Sequence, residues 1–145
     1  MDLIASMIDS HPSLEGDATN LRNAIVTAYE CAQICTTCAD SCLAEREVDA
    51  LSTCIRTNLD CAEICLVTGS MLSRVGSGRE EVLRGQLRTC HLALRACEEE
   101  CTLHAERMNH CRICAQACRA AREALARLLE AEPSPHQAEL RQAAH

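Results

Sequence analysis

Thirteen of the 145 residues are cysteines, and their spacing follows the period of an α-helix. Neighbouring cysteines within each cluster lie three, four or seven residues apart, so they share one face of a helix. The thirteen positions are Cys31, Cys35, Cys38, Cys42, Cys54, Cys61, Cys65, Cys90, Cys97, Cys101, Cys111, Cys114 and Cys118. Thiolate sulfur is both a nucleophile and a soft metal ligand, and the pattern therefore predicts many sulfurs facing one interior.

Proline and glycine divide the chain into segments that would position these cysteines. The two long stretches between them are rich in Ala, Leu, Arg and Glu, which favour helix. We predict helices over about 17–44, 49–73, 79–106 and 109–130, within a single domain covering 1–131. We also predict a short extra helix before His11-Pro12 and a flexible C-terminal tail over 132–145. The predicted fold is all-α, an antiparallel up-down-up-down four-helix bundle with a cysteine-lined core.

The cysteines are also expected to lie at one end of this bundle. The turn between the first two helices and the turn between the last two lie at the same end, and every cysteine falls in the half nearest them. The opposite half is expected to be an apolar plug. Its predicted members are Leu21, Ile25, Leu72, Leu83, Leu87, Leu125 and Leu128.

Composition and charge exclude several classes of protein. Fourteen arginines, with no lysine, oppose 21 acidic residues, and the net charge of −7 argues against a nucleic-acid partner. No apolar run is long enough to predict a membrane span. The first basic residue is Arg22, so the start lacks a secretory signal pattern and we expect a cytoplasmic protein. Cytoplasmic thiols are kept reduced, which disfavours a disulfide scaffold.

A buried array of reduced thiols favours metal binding over simple packing. Zinc takes four ligands, and one or two such sites would leave most of the cysteines unused. Iron–sulfur clusters usually take cysteines spaced along loops, unlike the mid-helix run here. Cu(I) is a soft, monovalent ion that two or three sulfur ligands can coordinate, so a continuous row of thiols favours Cu(I) over the other metals. An iron–sulfur or zinc-binding helical protein with a redox or structural role remains the alternative, and no motif for hydrolysis or phosphoryl transfer predicts an enzyme.

The sequence resembles the bacterial copper storage proteins over about residues 1–130. The resemblance rests on the His11-Pro12 start, on Cys31-x-x-x-Cys35-x-x-Cys38-x-x-x-Cys42, and on the paired spacings of the second and third cysteine clusters. It implies the cytosolic branch of that family, homotetramers of bundles and storage of multiple Cu(I) ions per chain.

The same resemblance implies further metal-binding residues at the mouth of the bundle, which is the end where the turn between the last two helices lies. His104 and His110 match histidines of the family, Met108 occupies the position between them, and Asn58 matches a polar residue inside the mouth. These four residues join the thirteen cysteines as predicted metal-binding residues. Imidazole and thioether exchange more readily than bridging thiolates, so they could pass Cu(I) inward.

Overall fold

The computed structural model describes residues 3–76 and 78–130, and the regular structure in these ranges is entirely helical. The helices are α1 (Leu3–Asp9), α2 (Thr19–Leu43), α3 (Ser52–Ser73), α4 (Glu80–His104) and α5 (Asn109–Glu130), with a 3-10 turn over Val48–Leu51. The all-α prediction and the short N-terminal helix are confirmed. The predicted domain end at 131 and the tail over 132–145 lie outside the described residues.

The four long helices form a closed ring around one core. Helix α2 packs against α3 and α5, and α4 packs against the same two helices. Short connections between long neighbouring helices make the bundle antiparallel, as predicted. Helix α1 packs on α2, where an ion pair of 2.7 Å joins Asp9 to Arg22.

The ends of the helices differ slightly from the sequence-based bounds. Helix α2 begins at Thr19 rather than 17, and the Asp17 carboxylate accepts a hydrogen bond from the Thr19 backbone N–H. The predicted start at 49 falls inside the 3-10 turn, and α3 itself begins at Ser52. Hydrogen-bond periodicity changes at such a turn while the apolar pattern continues, so the sequence does not show the boundary.

The end of the bundle away from the cysteines is packed with aliphatic side chains. Ile25, Leu72, Leu87 and Leu125 are buried there. Leu21, Leu83 and Leu128 are partly buried against the same core. The predicted apolar plug is therefore present.

Candidate metal centre

All thirteen cysteines are buried free thiols that face the interior of the bundle. None is more than 1% exposed. The helical spacing produces this arrangement, because each step of three, four or seven residues returns a side chain to the same face. Along α2, the Sγ atoms of Cys31 and Cys35 lie 3.7 Å apart. Along α3, those of Cys61 and Cys65 lie 3.9 Å apart.

Thiols from different helices meet at equally short distances. The Sγ atom of Cys35 lies 3.6 Å from that of Cys114 on α5 and 3.9 Å from that of Cys97 on α4. Cys65 on α3 lies 3.9 Å from Cys90 on α4. A disulfide needs about 2.05 Å between its sulfurs, so these are unbonded thiols close enough to share a metal ion.

Four groups of ligand atoms are compact enough to hold an ion within the described chain, each with its atoms within 4.8 Å of one another. The groups are Cys31, Cys35, Cys61 and Cys118; Cys35, Cys97, Cys114 and Cys118; Cys38, Cys101 and Cys114; and Cys38, Cys42, Cys111 and His110. Neighbouring groups share members: Cys35 and Cys118 belong to the first two groups, Cys114 to the second and third, and Cys38 to the last two. The groups therefore form one continuous chain of sulfurs rather than isolated sites.

Asn58 is a polar side chain that lies among these thiols. It is completely buried on α3, and its Nδ2 donates to the backbone carbonyl of Cys54 over 2.8 Å. Its Oδ1 accepts from the thiols of Cys114 at 3.0 Å and Cys97 at 3.4 Å. The structure thus places this predicted site residue in the centre of the thiol column.

His110, at the start of α5, also reaches the cysteines. Its Nδ1 lies 3.5 Å from the Sγ atoms of both Cys38 and Cys111. Its Nε2 lies 3.0 Å from Oε1 of Glu45, in the connection between α2 and α3. Glu45 is not among the residues predicted from the sequence, since helical periodicity carries no information about side chains in a loop.

His104 and Met108 lie beside this end of the bundle, and His104 belongs to none of the four ligand groups in the described residues. His104 Nε2 lies 3.4 Å from Oε1 of Glu100 on its own helix. Met108 is half-buried and packs against the core. Asn58 and His110 are the two predicted residues other than cysteine whose side-chain nitrogen or oxygen atoms lie within 3.5 Å of thiol sulfurs in the described chain.

Burial favours the protonated form of the Cys42 and Cys111 thiols. Removal from water raises the pKa of Cys42, and it raises the pKa of Cys111 to about 12. A metal ion that binds here must displace the thiol protons, so binding and proton release are coupled.

Comparison with known proteins places this arrangement in a family. Residues 17–130 match the family described as Csp, copper storage protein. The uncharacterized cysteine-rich protein YhjQ of Bacillus subtilis (strain 168) is 30% identical over 93 residues, which is 64% of this chain and 81% of YhjQ.

Two solved structures from Streptomyces lividans share the fold. The copper storage protein Ccsp loaded with 10 copper equivalents is 39% identical, with a TM-score of 0.82 over 87% of this chain and 97% of that one. A cytosolic copper storage protein loaded with five coppers is 41% identical, with a TM-score of 0.77 over 79% of this chain and 96% of the other. The thiol column and these similarities agree, and the chain belongs to the copper storage protein family.

Proposed function

We propose that this protein stores and buffers Cu(I) by binding many ions along the core column of cysteine thiolates. The single observation that carries the proposal is the continuity of the ligand groups, since neighbouring groups share Cys35, Cys38, Cys114 and Cys118. Isolated structural sites would not share ligands in this way. Thiolates that bridge successive monovalent ions keep the buried array near neutral, and this favours Cu(I) over divalent metals along the column.

Entry of the ion is proposed at the end of the bundle where both loops lie. His104, His110 and Met108 surround the connection between α4 and α5, and Asn58 lies inside the column. Together with the thirteen cysteines these are the residues proposed to take part in binding. His110 is the best supported of the four, because its Nδ1 already faces two thiols.

Uptake is a sequestration without catalytic turnover in this proposal. Each Cu(I) ion replaces thiol protons, the protons leave to solvent, and the thiolates hold the ion without changing its oxidation state. Because the folded column binds the ions, filling should also raise the stability of the fold.

The relatives and the surface of the bundle support a proposed location and assembly. A cytoplasmic location is supported by the similar Streptomyces lividans protein, which is described as cytosolic. No helix in the described ranges has the length and hydropathy needed to cross a membrane. A homotetramer is proposed from the family resemblance, and exposed Leu66, Val67 and Leu92 on the outer faces of the bundle are available to pack against other copies.

An anaerobic titration tests the proposal. The fully reduced protein is titrated with Cu(I) in the presence of a chelator that becomes coloured on binding Cu(I). Uptake of about ten or more ions per chain before the chelator colours supports a multi-ion thiolate store. Saturation at one or two ions would contradict storage and favour a zinc or redox role.

A further inference from the structure

The ligand group nearest the loops differs in chemistry from the other three. It combines the thiols of Cys38, Cys42 and Cys111 with the imidazole of His110, whereas the others contain cysteine alone. Two ligands come from the last part of α2 and two from the first turn of α5, so rigid helices hold all four. Three cysteines and one histidine form a ligand set that zinc uses in closed tetrahedral sites.

The distances in this group already approach those of a tetrahedral site. In a tetrahedral zinc site the bonds are about 2.3 Å to sulfur and about 2.0 Å to nitrogen. These bond lengths place a sulfur and a nitrogen ligand about 3.5 Å apart, and two sulfur ligands about 3.8 Å apart. His110 Nδ1 lies 3.5 Å from the Sγ atoms of both Cys38 and Cys111. The Sγ atoms of Cys38 and Cys111 lie 4.0 Å apart. The Sγ atom of Cys42 lies within 4.8 Å of these three atoms, so small side-chain shifts would close the group around an ion.

Glu45 fixes the imidazole in the orientation that such a site requires. Its Oε1 lies 3.0 Å from His110 Nε2, so a proton on Nε2 is donated to the carboxylate and the Nδ1 lone pair faces the thiols. A carboxylate on the second nitrogen of a metal-binding histidine sets the tautomer and strengthens the ligand. His104 has its own carboxylate partner, Glu100, but belongs to none of the four groups in the described residues.

Charge separates this group from the two groups of four cysteines. A divalent ion with three thiolates and a neutral imidazole leaves a charge of −1, and four thiolates leave −2. The cysteines of those two groups are completely buried, so the larger charge would be costly there. Near the loops the His110 and Glu45 side chains remain 22% and 38% exposed, and water can solvate the excess charge.

We propose that Cys38, Cys42, Cys111 and His110 form a mononuclear site for a divalent tetrahedral ion of the zinc type, with Glu45 as the residue that positions His110. This second metal preference goes beyond copper storage and does not depend on it. The end of the column would accept one divalent ion, while the deeper thiols would remain a site for Cu(I).

The test uses the reduced, metal-free full chain. Zn²⁺ affinity is measured by competition with a chromogenic chelator, and Co²⁺ serves as an optical probe of coordination. We expect one tight ion per chain and a tetrahedral Co²⁺ spectrum of mixed sulfur and nitrogen ligation. His110→Ala should weaken binding at least tenfold and remove the nitrogen contribution, and Glu45→Ala should weaken it about tenfold to a hundredfold. Glu45→Gln retains an acceptor and should recover part of the loss.

Matched control variants show whether a loss of Zn²⁺ affinity comes from the positioning of His110, from the removal of a charge or from a change in folding. Glu100→Ala removes the same charge from the other carboxylate–histidine pair, and His91→Ala removes a histidine outside the four groups. Both should bind Zn²⁺ within about twofold of the unaltered protein, since neither touches the proposed ligands. Circular dichroism of each variant confirms helix content before titration.

Two results would overturn the proposal. One is failure of the metal-free chain to retain Zn²⁺ against the chelator, and the other is tight Zn²⁺ binding that His110→Ala leaves unchanged with an all-sulfur Co²⁺ spectrum. Cu(I) capacity is measured on the same preparations. A chain that takes up many Cu(I) ions but retains no Zn²⁺ contradicts only this inference, and one that retains Zn²⁺ but takes up one or two Cu(I) ions contradicts only the proposed function.

Discussion

The amide oxygen of Asn58 on α3 accepts a hydrogen bond of 3.0 Å from the thiol of Cys114 on α5. These helices stand diagonally opposite in the ring, so this bond crosses the centre of the bundle. The same oxygen accepts from Cys97 on α4, and the amide nitrogen donates back to the Cys54 carbonyl. One neutral, completely buried side chain thus hydrogen-bonds to polar groups of three helices.

Replacing Asn58 by alanine should destabilise the metal-free protein. The Cys114 and Cys97 thiols lose their acceptor and a small cavity remains, so we expect the free energy of unfolding to fall by about 1–3 kcal/mol. Denaturant unfolding of the reduced protein measures this. The control is Asn23→Ala, at an exposed position on α2, which should change stability by no more than about 0.5 kcal/mol. Equal stability of the two variants would contradict a central role for the Asn58 amide.

A second prediction concerns Glu98, a nearly buried carboxylate on the outside of α4. It accepts hydrogen bonds of 2.8 Å from Arg119 and from Arg122 on α5. Burial opposes its ionisation, but the hydrogen bonds from Arg122 and Arg119 outweigh burial and hold the pKa of Glu98 below its ordinary value. Glu98→Gln should therefore lower the free energy of unfolding at neutral pH by about 1–3 kcal/mol.

The matched control is Glu99→Gln, one residue further along the helix. Glu99 is 73% exposed and pairs with Arg95 over 3.9 Å, so its replacement should have little effect. Because the pKa of Glu98 is lowered by folding, its contribution is present above the unfolded pKa and is lost as the pH falls through the folded pKa. The difference between the two variants should accordingly shrink in acid. A difference that is absent at neutral pH would show that the paired arginines do not stabilise the α4–α5 contact.

How far the sequence predicts this structure depends on the type of feature. Helical periodicity determines which face each residue occupies, so the burial of every cysteine and of Ile25 and Leu125 could be predicted. It does not determine the path of a loop, and the contact between Glu45 and His110 was therefore missed. Glu98 follows Cys97 directly and belongs to the polar side of the pattern, and only the approach of two arginines from α5 explains its burial.

The mouth residues show a related limit. His104 lies one heptad after Cys97, which predicts that it faces the thiols. At the last residue of α4 its Nε2 lies 3.4 Å from Oε1 of Glu100, one turn earlier on the same helix. Residues at a helix end have more than one polar partner within reach, so periodicity alone does not select the partner.

Two helical glycines should respond oppositely to alanine. Gly85 on α4 has open space where a Cβ would lie, and alanine is the better helix former, so Gly85→Ala should raise the free energy of unfolding by up to about 1 kcal/mol. At Gly69 on α3 a Cβ would lie 3.0 Å from the Tyr29 ring. Gly69→Ala should therefore show no such gain and should be the less stable variant in thermal unfolding. A similar gain at both positions would show that the ring moves aside without cost.

The metal-free protein should lose stability in mild alkali. The thiol of Cys111 has an ordinary pKa near 9.0, and burial raises its pKa to about 12 in the folded state. The unfolded chain therefore ionises this thiol first, and the free energy of unfolding falls as the pH rises from about 9 towards 12. Burial acts in the same direction on Cys42. Denaturant unfolding under reducing, oxygen-free conditions measures the slope, and a flat profile between about pH 8 and pH 11 would contradict buried neutral thiols.

The location of bound copper tests directly whether Cu(I) ions fill the column of cysteine thiols. A crystal of the reduced protein loaded with Cu(I) without oxygen is measured at the copper absorption edge, so that anomalous scattering marks each ion. We expect about ten or more copper peaks per chain, in a continuous row between the Sγ atoms that line α2, α3, α4 and α5. One or two isolated peaks, or copper bound on the outer surface with the thiol column empty, would contradict it.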